Sequence, residues 1–320
     1  MTFHHLLSSA FTMPSTKSAA LTALAGIAFG APSNITTHSI DLKPVYTNGT
    51  VSVEHLSVAG NFDGFKMSTP AARGSTDFWY FDVFSSASNQ TLNIVFFNSG
   101  ELSQYPHPLS VQVSGVYANG TTFYFEVLAD SGVSITNGPA GVTGEWKGVG
   151  SFKGSALDEP DMDIYGTIVF KSIAPTHYPC ELNGAAGANQ NLLPGLYWAN
   201  AVPGANTAVD LQVGDTTVSF ADGVGYHDKN WGNQSIVDGP RYWDWGRGRL
   251  GPCSVVWYNL LDYDGNESRR SFKGGEAAWP PTTGLLGTEG ISVNYTLADG
   301  RVFAVDVTTE LIVRDESGAY

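Results

Sequence analysis

The sequence predicts an all-β protein made of two related β-domains, and three observations support this prediction. The 320 residues include 37 glycines, 12% aromatic residues and only 14% charged residues, a composition that suits many short strands joined by tight turns. Residues 77–84 read D-F-W-Y-F-D-V-F, so a strand here would place aromatic side chains on both of its faces. A hairpin pattern at residues 111–127 recurs at residues 291–307, which favours two related domains.

The N-terminal segment is typical of a signal peptide. Lys17 precedes an apolar run at residues 19–29, and small residues flank the end of that run. The run is about eleven residues long, which is too short to span a bilayer. We therefore expect cleavage after residues 1–30 and entry into the secretory pathway; a buried N-terminal helix is the alternative.

Cysteines and glycosylation motifs agree with export. Only two cysteines occur, Cys180 and Cys253, and in an oxidising compartment we expect them to form a disulfide, the alternative being two buried free thiols. An asparagine followed two residues later by Ser or Thr is an N-glycosylation acceptor. The chain has seven of these asparagines: Asn34, Asn48, Asn89, Asn119, Asn233, Asn266 and Asn294.

The two hairpin patterns each turn at a glycine. The first turns at Asn119-Gly120, a dipeptide typical of a two-residue type I′ turn, and the second turns at Asp299-Gly300. At nearly the same offset, Trp79-Tyr80 recurs as Trp257-Tyr258 in a predicted strand at residues 254–261. Two matches at a common offset favour duplication over coincidence.

The predicted domain boundary lies in a stretch rich in proline and small polar residues. Pro175, Pro179 and the run at residues 183–191 have the composition of a linker. Only thirteen residues follow Val307, so we expect the second domain to be smaller or to lack its last strands. The predicted units are an N-terminal β-domain at residues 31–174, a linker at residues 175–192 and a C-terminal β-domain at residues 193–320.

Charge and motif content argue against several classes of protein. The net charge of −14, with no basic cluster, disfavours nucleic acid as a partner. The chain has no HExxH zinc motif, no GxSxG nucleophile motif and no GxxxxGK phosphate loop. Because the seven histidines are scattered, we expect no metal site and no cofactor.

Residues 223–232, G-V-G-Y-H-D-K-N-W-G, concentrate several chemically useful side chains between glycines. We expect a loop here, since glycines permit unusual backbone angles and function gathers on loops. Asp228 could orient His227 and so create an acid or base near neutral pH, although neighbours on an extended chain point apart. The alternative is a structural role, in which the segment forms an internally hydrogen-bonded corner and Trp231 fills one end of the barrel.

This ten-residue pattern resembles that of the carotenoid-hydratase-like (hydroxyneurosporene synthase) superfamily, whose fungal branch includes lipocalin-type Diels–Alderases. The sequences F-W-Y-F-D at residues 78–82 and L-P-G-L-Y-W at residues 193–198 also match. The resemblance extends over roughly residues 40–310. It implies two lipocalin-like β-barrel or β-sandwich domains, with the ligand pocket between or within them.

The motif and the resemblance together nominate site residues. The expected catalytic residues are His227, Asp228, Tyr80 and Trp231. The expected substrate-binding residues are Tyr226, Asn230, Gln112, Ser114, Trp257 and Tyr258.

The activity that the resemblance implies is a Diels–Alder or hetero-Diels–Alder cycloaddition in fungal secondary metabolism. Such a pericyclase holds an apolar small molecule in a reactive geometry and needs neither metal nor redox cofactor. The signal peptide favours the subset that joins tropolones to sesquiterpenes. Two alternatives remain at this stage, a secreted carrier of apolar ligands and a terpenoid hydratase, and the residues predict no oligomeric state.

Overall fold

The computed structural model describes residues 37–54, 62–101, 104–138, 141–153, 156–158, 164–179, 187–234, 240–250, 253–265, 267–272, 290–296 and 300–308. Their regular secondary structure consists entirely of strands, eighteen in number. In chain order the strands are β1 (His38–Leu42), β2 (Thr76–Ser85), β3 (Thr91–Ser99), β4 (Leu109–Val116), β5 (Thr122–Leu128), β6 (Val133–Gly138), β7 (Gly141–Trp146), β8 (Gly150–Lys153), β9 (Ala156–Asp158), β10 (Ile164–Ser172), β11 (Asn191–Leu193), β12 (Leu196–Val213), β13 (Thr216–Gly232), β14 (Pro240–Leu250), β15 (Cys253–Asp262), β16 (Glu267–Phe272), β17 (Gly290–Thr296) and β18 (Val302–Thr308).

Most of these strands form one large antiparallel sheet. This main sheet has 13 strands in the order β1-β6-β7-β8-β9-β10-β12-β13-β2-β3-β4-β5, with β11 paired to β12. A second sheet has the order β14-β15-β16, and β17 pairs with β18 as a hairpin. The all-β prediction is therefore confirmed. No helix that could cross a membrane occurs in the part of the chain that the structure describes.

The main sheet curves back over itself and encloses the larger core. Trp79 on β2 and Trp146 on β7 are far apart in strand order, yet their ring centroids lie 5.5 Å apart. The indole N–H of Trp146 also donates to the carbonyl of Phe97 on β3, at 2.8 Å. Apolar residues of both halves fill the space between, among them Phe81, Phe96 and Phe152. The result is a sandwich-like core made from one curved sheet.

The second sheet covers the other face of strands β2, β12 and β13. Val256, Tyr258 and Leu260 of β15 pack there against Trp198 and Tyr226 of the main sheet. Strand β2 therefore has a buried face on each side, which explains the aromatic residues on both faces. The predicted strand at residues 77–84 is confirmed as β2, with Trp79 and Phe81 in the larger core and Phe78 and Tyr80 on the other face.

Pairing in the main sheet crosses the predicted linker. Strand β12 pairs with β10 and strand β13 pairs with β2, so residues 196–232 share a sheet with residues 76–172. The sequence places these two groups in different domains. The division into two domains remains a prediction, but a division at residues 175–192 would cut a continuous sheet.

Both predicted hairpins form, but the first has a different turn. Tyr117 donates its backbone N–H to the carbonyl of Thr121, and Gly120 donates to the carbonyl of Tyr117, each at 2.9 Å. Gly120 has a φ of +84°. The loop therefore has three residues, with glycine in the left-handed position, instead of the expected two-residue type I′ turn. The Asn119 side chain stabilises it by accepting from the N–H of Thr121 at 2.9 Å.

The features linked to export are only partly within the described residues. Asn48, Asn89, Asn119 and Asn233 are exposed, as glycan acceptors must be. Residues 1–30, Asn34, Cys180 and Asn266 lie outside the described residues. Secretion, glycosylation and the bond between Cys180 and Cys253 therefore remain predictions.

Candidate functional site

The ten-residue motif lies on a strand instead of the predicted loop. Residues 223–232 form the second half of β13, paired with β12 on one side and β2 on the other. A Cβ atom at Gly225 would clash with the Thr207 hydroxyl and lie 2.6 Å from the Phe170 ring. The glycine therefore permits close packing inside the curved sheet, and it needs no unusual backbone angle.

Because the motif is extended, His227 and Asp228 project from opposite faces of β13. The strand register aligns His227 with Phe81 and aligns Asp228 with Tyr80 on β2. Directly opposed residues share a face, and successive residues alternate between faces. The expected His227–Asp228 pair is therefore wrong, and the two residues belong to two separate clusters.

His227 points into the larger core. Its Nδ1 lies 2.9 Å from the carbonyl oxygen of Tyr80, which can only accept, so Nδ1 carries the hydrogen. Its Nε2 lies 3.4 Å from a carboxylate oxygen of Asp63, and its ring stacks on Phe81 at 3.9 Å. The carboxylate that faces His227 is therefore that of Asp63, and not that of Asp228 as expected from the sequence.

Lys229 lies on the same face as His227 and is fully buried. It forms an ion pair with Asp77 of β2, and its ammonium lies 3.4 Å from the centroid of the Trp79 ring. Burial lowers the pKa of Lys229 to about 8, although the Asp77 carboxylate opposes this shift. Asp77 also accepts backbone N–H groups of Lys66 at 2.8 Å and Met67 at 3.1 Å. This pair therefore anchors the chain before β2 to the motif.

Trp231 also belongs to the larger core. It is fully buried, stacks on Tyr197 with centroids 5.9 Å apart, and donates to the carbonyl of Glu54 at 2.7 Å. Tyr80, on the opposite face, packs with the second sheet. In the strand register Tyr80 lies opposite Asp228, which is three positions from Trp231 along β13, so Tyr80 and Trp231 point to opposite faces of the sheet. The expectation that these two residues line one pocket is therefore wrong.

A Trp231→Phe substitution tests this structural role. It should lower the free energy of unfolding by about 1–3 kcal/mol, through loss of ring volume and of one buried hydrogen bond. Turnover measured well below the melting temperature should stay within about twofold of the parent protein, since Trp231 faces away from Asp228. Chemical denaturation and steady-state rates check the two parts. A large loss of kcat at unchanged stability would restore Trp231 to the site.

The second cluster surrounds the carboxylate of Asp228. One oxygen accepts from the indole N–H of Trp198 at 2.9 Å and from the hydroxyl of Tyr226 at 2.6 Å, and lies 3.4 Å from the Tyr258 hydroxyl. The other oxygen accepts from the amide of Asn230 at 2.6 Å. We call these five residues the Asp228 cluster. The predicted site residues Tyr226, Asn230 and Tyr258 are thus brought together with Asp228.

Burial makes the Asp228 carboxyl a much weaker acid than usual. Its side chain lies between the main and second sheets, and this desolvation raises its pKa from 3.8 to about 6. Hydrogen bonds from Tyr226, Trp198 and Asn230 oppose the shift but do not cancel it. The group can therefore hold or release a proton near neutral pH, which is the property of a general acid or base. Burial also raises the pKa of Tyr226 and Tyr258 well above the usual range, so both phenols remain donors.

A buried ion pair that the sequence did not nominate lies beside this cluster. Arg247 of β14 pairs with Asp82 of β2, and Asp82 also accepts from the hydroxyl of Tyr80 at 3.1 Å. Arg247 donates to the carbonyl of Val224 at 3.1 Å as well. Desolvation raises the pKa of Asp82 despite the opposing effect of Arg247. The pair joins the second sheet to the main sheet and orients Tyr80. In the sequence, the aromatic strand that contains Tyr80 was the feature that indicated this part of the site.

The remaining predicted binding residues are farther from Asp228. The register aligns Gln112 with Val95 and Val95 with Tyr80, so Gln112 shares the Tyr80 face two strands away, about 10 Å across the sheet. Ser114 lies one step along the same face of β4. Trp257 precedes Tyr258 on β15 and therefore points to the opposite side of the second sheet, where its ring packs over Gly246.

A sequence model described as Diels-Alderase-like matches residues 43–272. The chain belongs to the Diels-Alderase-like family. A quinolone epoxide rearrangement protein of Emericella nidulans, asqO, is 32% identical over 302 residues, which cover 84% of this chain and 82% of that protein. A second quinolone epoxide rearrangement protein, penF of Penicillium thymicola, is 30% identical and covers 73% of this chain and 75% of its own length.

A solved structure has a similar fold. CghA, crystallised with Sch210972, has a TM-score of 0.64 and 16% identity, with 85% of each chain covered. At this identity the likeness concerns the fold alone. The predicted resemblance to fungal Diels–Alderases and the predicted lipocalin-like sandwich fold are both confirmed. The matched residues include β2 with Tyr80, β13 with Asp228 and β14 with Arg247.

Proposed function

We propose that this protein is a cofactor-independent enzyme of fungal secondary metabolism that rearranges or cyclises an apolar small molecule beside Asp228. One observation carries the proposal, the buried Asp228 carboxyl with a pKa of about 6 inside an aromatic interface between two sheets. A proton donor in a water-poor, aromatic environment can activate an oxygen of a bound ligand. The curated relatives are named for quinolone epoxide rearrangement, which is an isomerisation of this kind.

The first candidate reaction is an acid-assisted epoxide rearrangement. Protonated Asp228 would donate its proton to the epoxide oxygen while one carbon–oxygen bond breaks. A neighbouring substituent then migrates with its bonding electrons to the electron-poor carbon, and the oxygen forms a carbonyl group. The carbonyl's proton returns to the Asp228 carboxylate, so the product is an isomer of the substrate and no oxidant or reductant is consumed.

The arrangement of the cluster suits this role. Among the described residues, one Asp228 oxygen accepts several hydrogen bonds, whereas the other accepts one, from Asn230. A carboxylate oxygen has two lone pairs, so this second oxygen retains the capacity to exchange a proton with a ligand. The donors Trp198 and Tyr226 stabilise the carboxylate that remains after proton donation.

The second candidate is the Diels–Alder or hetero-Diels–Alder cycloaddition implied by the family name. It is favoured by the aromatic environment, because Tyr80, Tyr226 and Trp245 pack with ring centroids 5.3–6.3 Å apart on the Asp228 face of the main sheet. Holding two unsaturated groups in a reactive geometry contributes up to about 7–11 kcal/mol in favourable cases. A simple carrier of apolar ligands would gain nothing from the buried carboxyl, which costs folding free energy.

The pH dependence of turnover distinguishes the two reactions. If Asp228 acts as a general acid, kcat/KM for a quinolone epoxide should fall as pH rises through its pKa of about 6, by about 50-fold between pH 6 and pH 8. A cycloaddition that depends on orientation should change little, since no proton is transferred. Rates at constant ionic strength check this, with the fold followed in parallel by circular dichroism. A flat profile would exclude proton donation by Asp228.

A further inference from the structure

Asp228 and the side chains around it are closed off from solvent. Asp228 is 3% exposed, and Trp198, Tyr226 and Tyr258, which surround its carboxylate, are each at most 2% exposed. A proton donor must touch the ligand that it protonates. A ligand therefore reaches Asp228 only when a covering element moves, and the second sheet is the element that covers this face.

The second sheet lies on the main sheet without sharing its backbone pairing. Among the described strands, β14, β15 and β16 pair only with one another. Alternate residues of a strand share a face, and four alternate residues of β14 face the main sheet: Trp243, Trp245, Arg247 and Arg249. We call Trp243 and Trp245, with Leu260 opposite on β15, the aromatic end of the second sheet, and Arg247 and Arg249 its arginine end.

The arginine end is held by directional polar contacts. Arg247 forms the ion pair with Asp82 of β2 and donates to the carbonyl of Val224 on β13 at 3.1 Å. Arg249 donates to the carbonyl of Ala205 on β12 at 2.8 Å. Hydrogen bonds from charged donors are the stronger ones. This end is therefore fixed to three neighbouring strands of the main sheet.

The aromatic end is held mainly by apolar contacts. Leu260 belongs to an apolar cluster with leucines of β11 and β12, and Trp245 packs on Tyr80 with ring centroids 5.4 Å apart. Trp243 and Trp245 are partly exposed, so this end lies at the margin of the interface. Between the two ends, the Tyr258 hydroxyl lies 3.4 Å from Asp228, which is long for such a bond. Apolar contacts are non-directional, so they can separate and form again without specific partners.

We propose that the second sheet is a gate, which pivots on its arginine end and opens at its aromatic end to admit a ligand to Asp228. This inference rests on the proposed function and adds the route by which a ligand reaches that site. Opening at the aromatic end separates apolar surfaces and one long hydrogen bond. Opening at the arginine end would instead leave Asp82 buried without its partner. Closure behind the ligand excludes water from the reacting atoms.

Alkylation of single cysteines introduced on β15 tests the opening. Leu260→Cys places a thiol at the aromatic end, and Val256→Cys places one at the arginine end, where Val256 lies opposite Arg247. The native side chains are 0% and 1% exposed, so neither thiol can react while the sheets are closed. Each full-length variant is treated with iodoacetamide under native conditions. Tandem mass spectrometry then locates the modified residue and separates it from the two native cysteines.

The two thiols should react at different rates. Leu260→Cys should react at least about 100-fold faster than global unfolding allows, because local opening breaks only part of the fold. Val256→Cys should react at least about 10-fold more slowly than Leu260→Cys. Urea unfolding of each variant gives the rate expected from global unfolding and corrects for differences in stability. Labelling of Leu260→Cys at only that rate, or a smaller difference between the two sites, would overturn the gate.

Removing the ion pair tests the pivot. Arg247→Met combined with Asp82→Asn removes both charges and leaves neither buried alone. In this background the labelling of Val256→Cys should rise by about 10-fold, while that of Leu260→Cys stays within about threefold. The matched control is Lys229→Met with Asp77→Asn, which removes a buried ion pair on the other face of the main sheet. After correction for stability, a rise no larger than that of the control would overturn the pivot.

Failure of the gate and failure of the proposed function can be told apart, because labelling needs no ligand. Turnover that depends on Asp228 without any local opening would overturn the gate and leave the proposed function standing. Local opening in a protein whose kcat is unaffected by Asp228→Asn would overturn the proposed function, and with it the role of the gate in admitting a ligand to Asp228.

Discussion

Asp228→Asn is expected to lower kcat by about 100- to 10,000-fold, the usual contribution of a positioned general acid. Asparagine has nearly the same shape as aspartate but cannot donate a proton to an epoxide oxygen. Its remaining carbonyl oxygen can still accept from Trp198 and Tyr226, and Asn230 can rotate its amide to accept in place of donating. Single-turnover rates with a quinolone epoxide measure the chemical step directly.

The stability of this variant provides the control. In the folded protein the pKa of Asp228 is about 6 instead of 3.8, so the folded state binds the proton more tightly than the unfolded state does. Protonation of Asp228 should therefore contribute stability to the parent protein as pH falls from about 6 to about 4, and Asp228→Asn should lose this part of the pH dependence. Its free energy of unfolding at pH 7 should not fall by more than about 1 kcal/mol, because a buried charge has been removed. A correctly folded variant with full kcat would refute the role of Asp228.

Among the substitutions proposed, Lys229→Met is expected to lower the free energy of unfolding most, by about 3–5 kcal/mol. It leaves the Asp77 carboxylate buried without its ion-pair partner. Methionine fills much of the same space beside Trp79, so the loss would come mainly from the charge. Denaturant unfolding with several probes measures the change. This ion pair lies on the face of β13 away from Asp228, so kcat of the folded fraction should stay within about threefold of the parent value.

A double substitution separates charge from packing at this position. Adding Asp77→Asn to Lys229→Met removes the unpaired charge, while the asparagine oxygen can still accept a backbone N–H of the preceding segment. The double variant should recover a substantial part of the lost stability, which a double-mutant cycle would report as strong coupling. Additive effects of the two changes would mean that the two side chains contribute independently.

Much of the fold could be predicted from the order of residues. The alternation of Phe78, Trp79, Tyr80 and Phe81 required a strand covered on both faces, and β2 is covered on both. The ten-residue motif and the two shorter matching segments were sufficient to indicate the family. These features are local, since strand periodicity and short motifs are properties of neighbouring residues.

The conformation of the motif depended on residues far away in the chain. Its glycines and polar side chains are typical of a loop, and it became a strand because β12 and β2 supply partners on both sides. That pairing sends His227 and Asp228 to opposite faces, so the two side chains do not form the direct pair that their adjacency in sequence suggests. A polar residue can occupy a strand interior only when partners are present there, and those partners come from other strands.

The chemistry of the site was decided by tertiary contacts. The pKa of about 6 for Asp228 arises from burial under the second sheet. Arg247 is 165 residues from its partner Asp82, and no short-range pattern connects them. Trp245 is an ordinary strand residue until the second sheet brings its ring centroid to 5.3 Å from that of Tyr226. Sequence patterns indicate which faces are buried, whereas desolvation and hydrogen-bond partners depend on which faces meet.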